Sequence, residues 1–199
     1  MDIPWGVAEV NADFFPEANR NWICFQRWLD ISDADAGVTW TSPEAPTFEY
    51  GDIRANILGG ATGSPQWIRK LVPSSTIYSW ALNNHWHTNF PLSQSGVLVF
   101  RYGVLAHDHA FDAAAANRFG LEQARPLVVP TGKPDTTAPG LSINNPRVVI
   151  SSIRTGPGGR TVTLRSLSDS EENVTVGTTD SQPATPLTLP PFGVRTFTL

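Results

Sequence analysis

Glycine and proline interrupt this chain so often that long helices have little room in it. There are 16 glycines and 17 prolines over 199 residues, while charged side chains make up only 16%. Proline removes a backbone donor and fixes φ, and glycine favours turns, so both cut regular structure into short pieces. Charged pairs that would support exposed helices are scarce. The expected class is therefore all-β, built from many short strands, with enough chain for one sizeable core or two smaller ones.

Alternating residues locate the strands. Ile23, Phe25, Leu29 and Ile31 share one face if Asn21 to Ile31 is extended, and the turn formers of residues 32–37 lead into Val38-Thr39-Trp40-Thr41 as a hairpin return. Further strands are expected over Phe48 to Ile53, Ile77 to Leu82 and Gly96 to Val104, the last placing Leu98, Phe100 and Tyr102 on one face. The glycines from Leu58 to Ser64 precede no Lys-Ser or Lys-Thr and read as a loop, not as a phosphate cradle. The one plain helix is Phe111 to Gly120, with four alanines, Asp112 near its start and a glycine at its end. A shift to Pro, Thr and Gly places a linker at residues 131–140, between a first region of residues 1–130 and a small β-sandwich of residues 141–199. In that last part, Arg147 to Ile153, Thr161 to Leu167, Asn173 to Gly177 and Gly193 to Leu199 read as strands, with turns at Gly156 to Gly159 and Asp169 to Glu172.

A net charge of −4 without any run of Lys or Arg argues against a nucleic-acid partner. No apolar stretch is long enough to span a bilayer and the start of the chain carries no signal peptide, so a soluble chain is expected, one that begins in the middle of something larger. Cys24, flanked by Trp22, Ile23 and Phe25, reads as a buried, inert thiol. The aromatic set is Trp-rich, seven Trp and ten Phe against three Tyr, which suits thick sheet cores or sugar-stacking surfaces.

The densest polar cluster is Asn83, Asn84, His85, Trp86, His87, Thr88 and Asn89. An extended segment puts His85 and His87 on one side with Asn83 and Asn89, and Trp86 on the other. An indole face beside amides is what a polyhydroxylated ring needs, an apolar platform with paired donors and acceptors. Two other readings stay open: the cluster satisfies buried loop backbone, or it joins His107 and His109 on a metal ion. Asp30, Asp33, Asp35, Glu171 and Glu172 fall in expected turns, and Asp108 and Asp112 near a helix start. None stands out as a nucleophile, and no residue is assigned to catalysis or to a metal. Asn173-Val174-Thr175 matches a glycosylation acceptor by chance, inside an expected strand.

The stretch from Tyr78 through Asn83, Asn84, Trp86, Thr88 and Asn89 to Phe100-Arg101-Tyr102 resembles the C-terminal region of family 38 glycoside hydrolases, the α-mannosidases. In that region an Asn-Asn-x-Trp-x-Thr-Asn core precedes a glycine and an aromatic-Arg-Tyr strand. The ending Leu189 to Leu199 and the hairpin from Asn21 to Thr41 are similar to the same family. The resemblance implies the latter part of a mutarotase-like β-supersandwich followed by a small β-sandwich. It implies retaining hydrolysis of α-mannosides assisted by zinc, with the nucleophile and zinc ligands in an N-terminal α/β catalytic domain of the same polypeptide that has no counterpart here. The chain itself is then non-catalytic, holds no cofactor, and contributes a wall beside the active site through Asn83 to Asn89. A truncated supersandwich also exposes a sheet edge, through which copies can self-associate. An autonomous carbohydrate-binding module and a purely structural scaffold are the competing readings.

Overall fold

The computed structural model describes residues 1–53, 68–82, 91, 93–126, 131–132, 140–178 and 181–198. Its strands are β1 (Asp2–Ile3), β2 (Gly6–Val7), β3 (Ile23–Cys24), β4 (Leu29–Ser32), β5 (Gly37–Thr41), β6 (Thr47–Tyr50), β7 (Ile77–Ser79) and β8 (Gly103–His107), succeeded by the helix α1 (Ala113–Ala124). Six more strands come after the helix: β9 (Leu141–Ile143), β10 (Val148–Gly156), β11 (Gly159–Ser166), β12 (Glu172–Thr178), β13 (Ser181–Leu189) and β14 (Val194–Thr198). Every pairing among these strands is antiparallel, and the protein is all-β with one helix among the described residues. Among the described residues no helix is long and apolar enough to cross a membrane.

Two compact units divide the chain, Met1–Phe111 and Asp112–Leu199. In the first, β3-β6-β7 and β4-β5-β8 form two three-stranded sheets beside the β1-β2 hairpin. Both sheets feed one core: Ile23 and Phe48 come from the first, Leu29 and Trp40 from the second, and Phe25 and Leu71 complete it. Their aromatic rings run in series, Phe48 to Phe25 at 5.9 Å and Phe25 to Trp40 at 5.4 Å, the latter edge-on.

The single strand expected over Asn21 to Ile31 is instead two strands in two sheets. Between them Phe25 N donates to Pro46 O and Gln26 N to Asp2 O, so the backbone turns to a new set of partners and Trp28 is fully buried. Cys24 is exposed, not buried as its apolar neighbours suggest. Alternation decides it: Ile23 and Phe25 face the core, so Cys24 faces out, with Sγ 3.0 Å from Thr47 Oγ1. The strand expected from Gly96 also starts late. Residues 97–102 belong to no strand, and pairing with β5 begins only at Gly103. The glycines of residues 58–64 lie in a segment, 54–67, outside the described residues.

The second unit is a two-sheet sandwich of β10-β11-β14 and β13-β12-β9. Val148, Val162 and Leu164 from one sheet meet Val174, Val176 and Leu189 from the other. The alternation read in the sequence is what fills this core, since Val162 and Leu164 of β11 and Val174 and Val176 of β12 are the buried members of their strands' alternating pattern. Each such side chain contributes about 1.5–3 kcal/mol by leaving water. β13 escapes the sequence reading because of its prolines. It lies at the edge of its sheet, opposite β12 with Pro186 across from Thr175, where a missing donor is tolerated.

Packing divides the chain between Phe111 and Asp112, whereas composition shifts at residues 131–140. Helix α1 is bound to the second unit: Asn117 Nδ2 donates to Leu167 O at 3.1 Å, and Arg118 donates to Pro146 O. Asp112 caps α1, accepting from Ala114 N at 2.8 Å. The helix does not stop at Gly120 but runs on through Leu121 to Ala124, residues of high helix propensity, with Gly120 itself buried.

Candidate functional site

The residues singled out by the sequence, Asn83, Asn84, His85, Trp86, His87, Thr88 and Asn89, lie outside the described residues. Both flanks of that stretch are described. Ser79 Oγ at the end of β7 and Tyr102 OH just before β8 are hydrogen-bonded at 3.0 Å, so the chain departs and returns at one place. Tyr102 stacks on the buried Trp40 with centroids 5.7 Å apart and planes 17° from parallel, which extends the aromatic series from core to surface. The ring is held at both ends and 47% of the residue is still exposed. Next to it, Arg101 N and Nε donate to Glu44 at 2.9 and 2.6 Å, which pins this turn of backbone. Those donors, the backbone amide first, hold the Glu44 carboxyl below its ordinary value. On the other flank Trp80 N donates to Thr47 O, and its indole meets Trp22 edge-on at 5.5 Å.

A second cluster lies on the reverse face of the β4-β5-β8 sheet. The register opposes Asp30, Thr39 and Leu105 in one row and Ser32, Gly37 and His107 in another. Side chains of these rows share a face, opposite to Leu29 and Trp40. Asp30 accepts from Ser32 Oγ at 2.7 Å and from Thr39 Oγ1 at 2.5 Å, and His107 Nε2 lies 3.1 Å from its Oδ2. The other ring nitrogen, His107 Nδ1, is 2.8 Å from His109 O. Only 9% of the His107 side chain and 4% of that of Asp30 are exposed. Burial pulls the imidazole down, but the His109 carbonyl and the Asp30 carboxylate outweigh it and raise its pKa above 6.5.

Chemically this arrangement holds charge; it does not attack anything. A nucleophilic triad needs a hydroxyl on the imidazole, with the carboxylate behind. Here both hydroxyls sit on the carboxylate, and each nitrogen of His107 already faces an oxygen. His107 and His109 stack at 4.7 Å, and His109 directs Nδ1 at Ala110 O. Among the described residues no group of three His, Cys, Asp or Glu side chains could hold a metal ion.

The acids separate by environment. Asp33 is a turn residue as expected, its carboxyl held low by the amides of Ala36 and Asp35. Asp30, grouped with it in the sequence, instead sits inside β4, since the turn is confined to residues 33–36. Glu172, expected in a turn, begins β12 and is buried against Arg147 at 2.9 Å and Asn145 at 2.9 Å. Burial alone would push it up; Asn145, Ser168 and Arg147 together hold it down. The same Arg147 reaches Asp112 at 3.3 Å, so one guanidinium joins the helix cap to the sandwich. The network of Asp30, Thr39 and His107 goes unnoticed in the sequence. Its signal is the hairpin itself, because a turn at 33–36 makes Asp30 and Thr39 direct cross-strand partners. No family model, curated protein or solved structure matches this chain.

Proposed function

We propose that this chain is the non-catalytic C-terminal β region of an α-mannosidase-like glycoside hydrolase, supporting an N-terminal α/β catalytic domain of the same polypeptide and touching the sugar substrate. The observation that carries this reading is the motif from Tyr78 to Tyr102. Its described flanks support substrate contact. Tyr102 offers a ring already fixed on Trp40 and by Ser79, so little motion is lost when a sugar's C–H face stacks on it. The paired hydroxyls of Ser79 and Tyr102 give a donor and an acceptor at the rim, as a vicinal diol requires. Zinc, in this reading, belongs to the catalytic domain and takes no ligand from these residues. The outer side of β8, with Val104 and Leu105 exposed, is the edge available for self-association.

An assay against aryl α-mannosides, with and without zinc, tests the reading. No turnover by the chain alone is expected, and clear turnover overturns it. In parallel, titration with methyl α-mannoside followed by Trp fluorescence should give weak, millimolar-range binding that Tyr102→Ala abolishes. Binding that survives Tyr102→Ala removes the platform from the proposal. Tight binding of mannose oligosaccharides by the chain alone favours an autonomous binding module instead.

A further inference from the structure

We propose that Asp30, Gly37 and His107 form a proton-operated latch on the edge strand β8: a second ring proton lets His107 hold Asp30 of β4 across β5 and the His109 carbonyl at once, and its loss gives up one of the two ties and loosens the C-terminal end of β8. The latch goes beyond the carbohydrate reading and does not depend on it.

Strand order makes the contact unusual. β8 and β4 are not neighbours; β5 lies between them, and neighbouring strands are spaced by about 4.8 Å. A side chain can cross the middle strand only if that strand offers nothing in between. Gly37 meets this need: a Cβ there would lie 2.5 Å from His107 Cε1 and 2.7 Å from His107 Nε2. The imidazole lies over the bare backbone and reaches Asp30.

The hydrogen-bond inventory then requires an extra proton. A neutral imidazole has one N–H. His107 Nδ1 faces the His109 carbonyl and Nε2 faces Asp30 Oδ2, and both oxygens accept, so the one N–H can serve only one of them. In either tautomer the other nitrogen turns a lone pair toward an oxygen, unless the ring carries a second proton. With that proton both contacts hold at once; without it one of the two becomes a pair of opposed acceptors. Solvent has little access to intervene, as both side chains are buried.

The remaining groups around the ring favour the proton. Asp30 and Ser32 face it from β4, and β5 presents the Thr39 hydroxyl and the bare Gly37. After β8, Asp108 adds negative charge and the His109 ring stacks on His107, opposing the proton only when it is itself cationic. The Met1 amino group interacts with Asp30 from outside the ring contact. The balance lies above the ordinary value of 6.5, in agreement with the hydrogen-bond count. Both ties are therefore present below about pH 6.5, and one of them is lost as pH rises through the folded-state value. Beyond His107 the chain reaches Phe111, whose ring lies 5.6 Å from the buried Trp28, so release is confined to the stretch between them.

Imidazole nitrogen NMR on the whole chain, with hydrogen exchange of residues 103–109 at pH 6 and pH 9, tests the latch. After correction for intrinsic exchange, protection of β8 should fall by about tenfold or more on going to pH 9. His107→Gln supplies a donor that does not titrate and should leave protection equal at both pH values. Asp30→Asn should lower the His107 pKa by about one unit or more. Three results overturn the proposal: a wild-type β8 equally protected at both pH values, a His107→Gln variant with the same pH dependence as wild type, or His107 titrating at or below 6.5. Should His107→Gln fail to fold, the Asp30→Asn titration decides alone.

Discussion

Gly37→Ala is the smallest change that probes the reverse face of the β4-β5-β8 sheet. It adds one methyl group, yet that carbon would lie 2.3 Å from Ser32 Cβ as well as 2.5 Å from His107 Cε1. Ser32 Cβ is fixed to the backbone of β4, which is paired with β5 at this very position, so it cannot move without shifting a strand. Overpacking of this kind costs about 1–3 kcal/mol. The His107 ring can rotate away only by surrendering its contact with Asp30, a charge-assisted bond worth about 1.5–3 kcal/mol. Together these give about 2.5–6 kcal/mol, which lowers the melting temperature of a unit this size by about 10 °C or more. Thermal unfolding at pH 6 followed by near-ultraviolet circular dichroism, which reports the Trp-rich first unit, measures it. Gly37→Ala combined with His107→Ala should be partly relieved, because the ring clash disappears while the Ser32 clash stays, giving a coupling of about 1–2 kcal/mol. A melting temperature within about 2 °C of wild type for Gly37→Ala alone, against the roughly 10 °C or more expected, would show that the strand yields freely and would refute the reasoning.

Two further outcomes concern the second unit. Glu172 is held below its ordinary 4.5, so its contribution is present above that value and drains away as pH falls through the folded one; Glu172→Gln should cost about 1–2 kcal/mol at pH 7, discounted because Arg147 is partly wetted, and should flatten the acid limb of a pH-dependent urea titration. Asp112→Ala removes the cap of α1 and should cost about 1 kcal/mol, visible as lost helical signal in far-ultraviolet circular dichroism before the sandwich unfolds.

The strands of the second unit can be read directly, because Val162, Leu164, Val174 and Val176 alternate with polar residues and the turns that join them are short. β13 cannot, since Pro186 argues against a strand unless its position at an edge is known. In the first unit the alternation from Ile23 to Ile31 is real but hides a change of sheet, which depends on partners as distant as Asp2 and Pro46. Averaging over apolar neighbours misplaces Cys24, where the period of two decides its side. For the site, the sequence points to Asn83 to Asn89, which lie outside the described residues, and to His107 as half of a His pair. The pairing of β5 with β8 is invisible there, and it is what brings His107 to the Gly37 and Asp30 that the β4-β5 hairpin already sets together.

That pairing also sets an order in which the protein can be assembled. β4 and β5 meet across a four-residue turn, and β10 with β11 across two residues, so these hairpins close almost as soon as their residues exist. β8 arrives some sixty residues after β5, and until it does the far side of β5 has no partner in its sheet. Closing so long an excursion adds entropy cost before any contact rewards it, which makes docking of β8 a slow, late event in the first unit. During synthesis the incomplete β5 edge is the point at which a nascent chain is most open to pairing with the wrong strand.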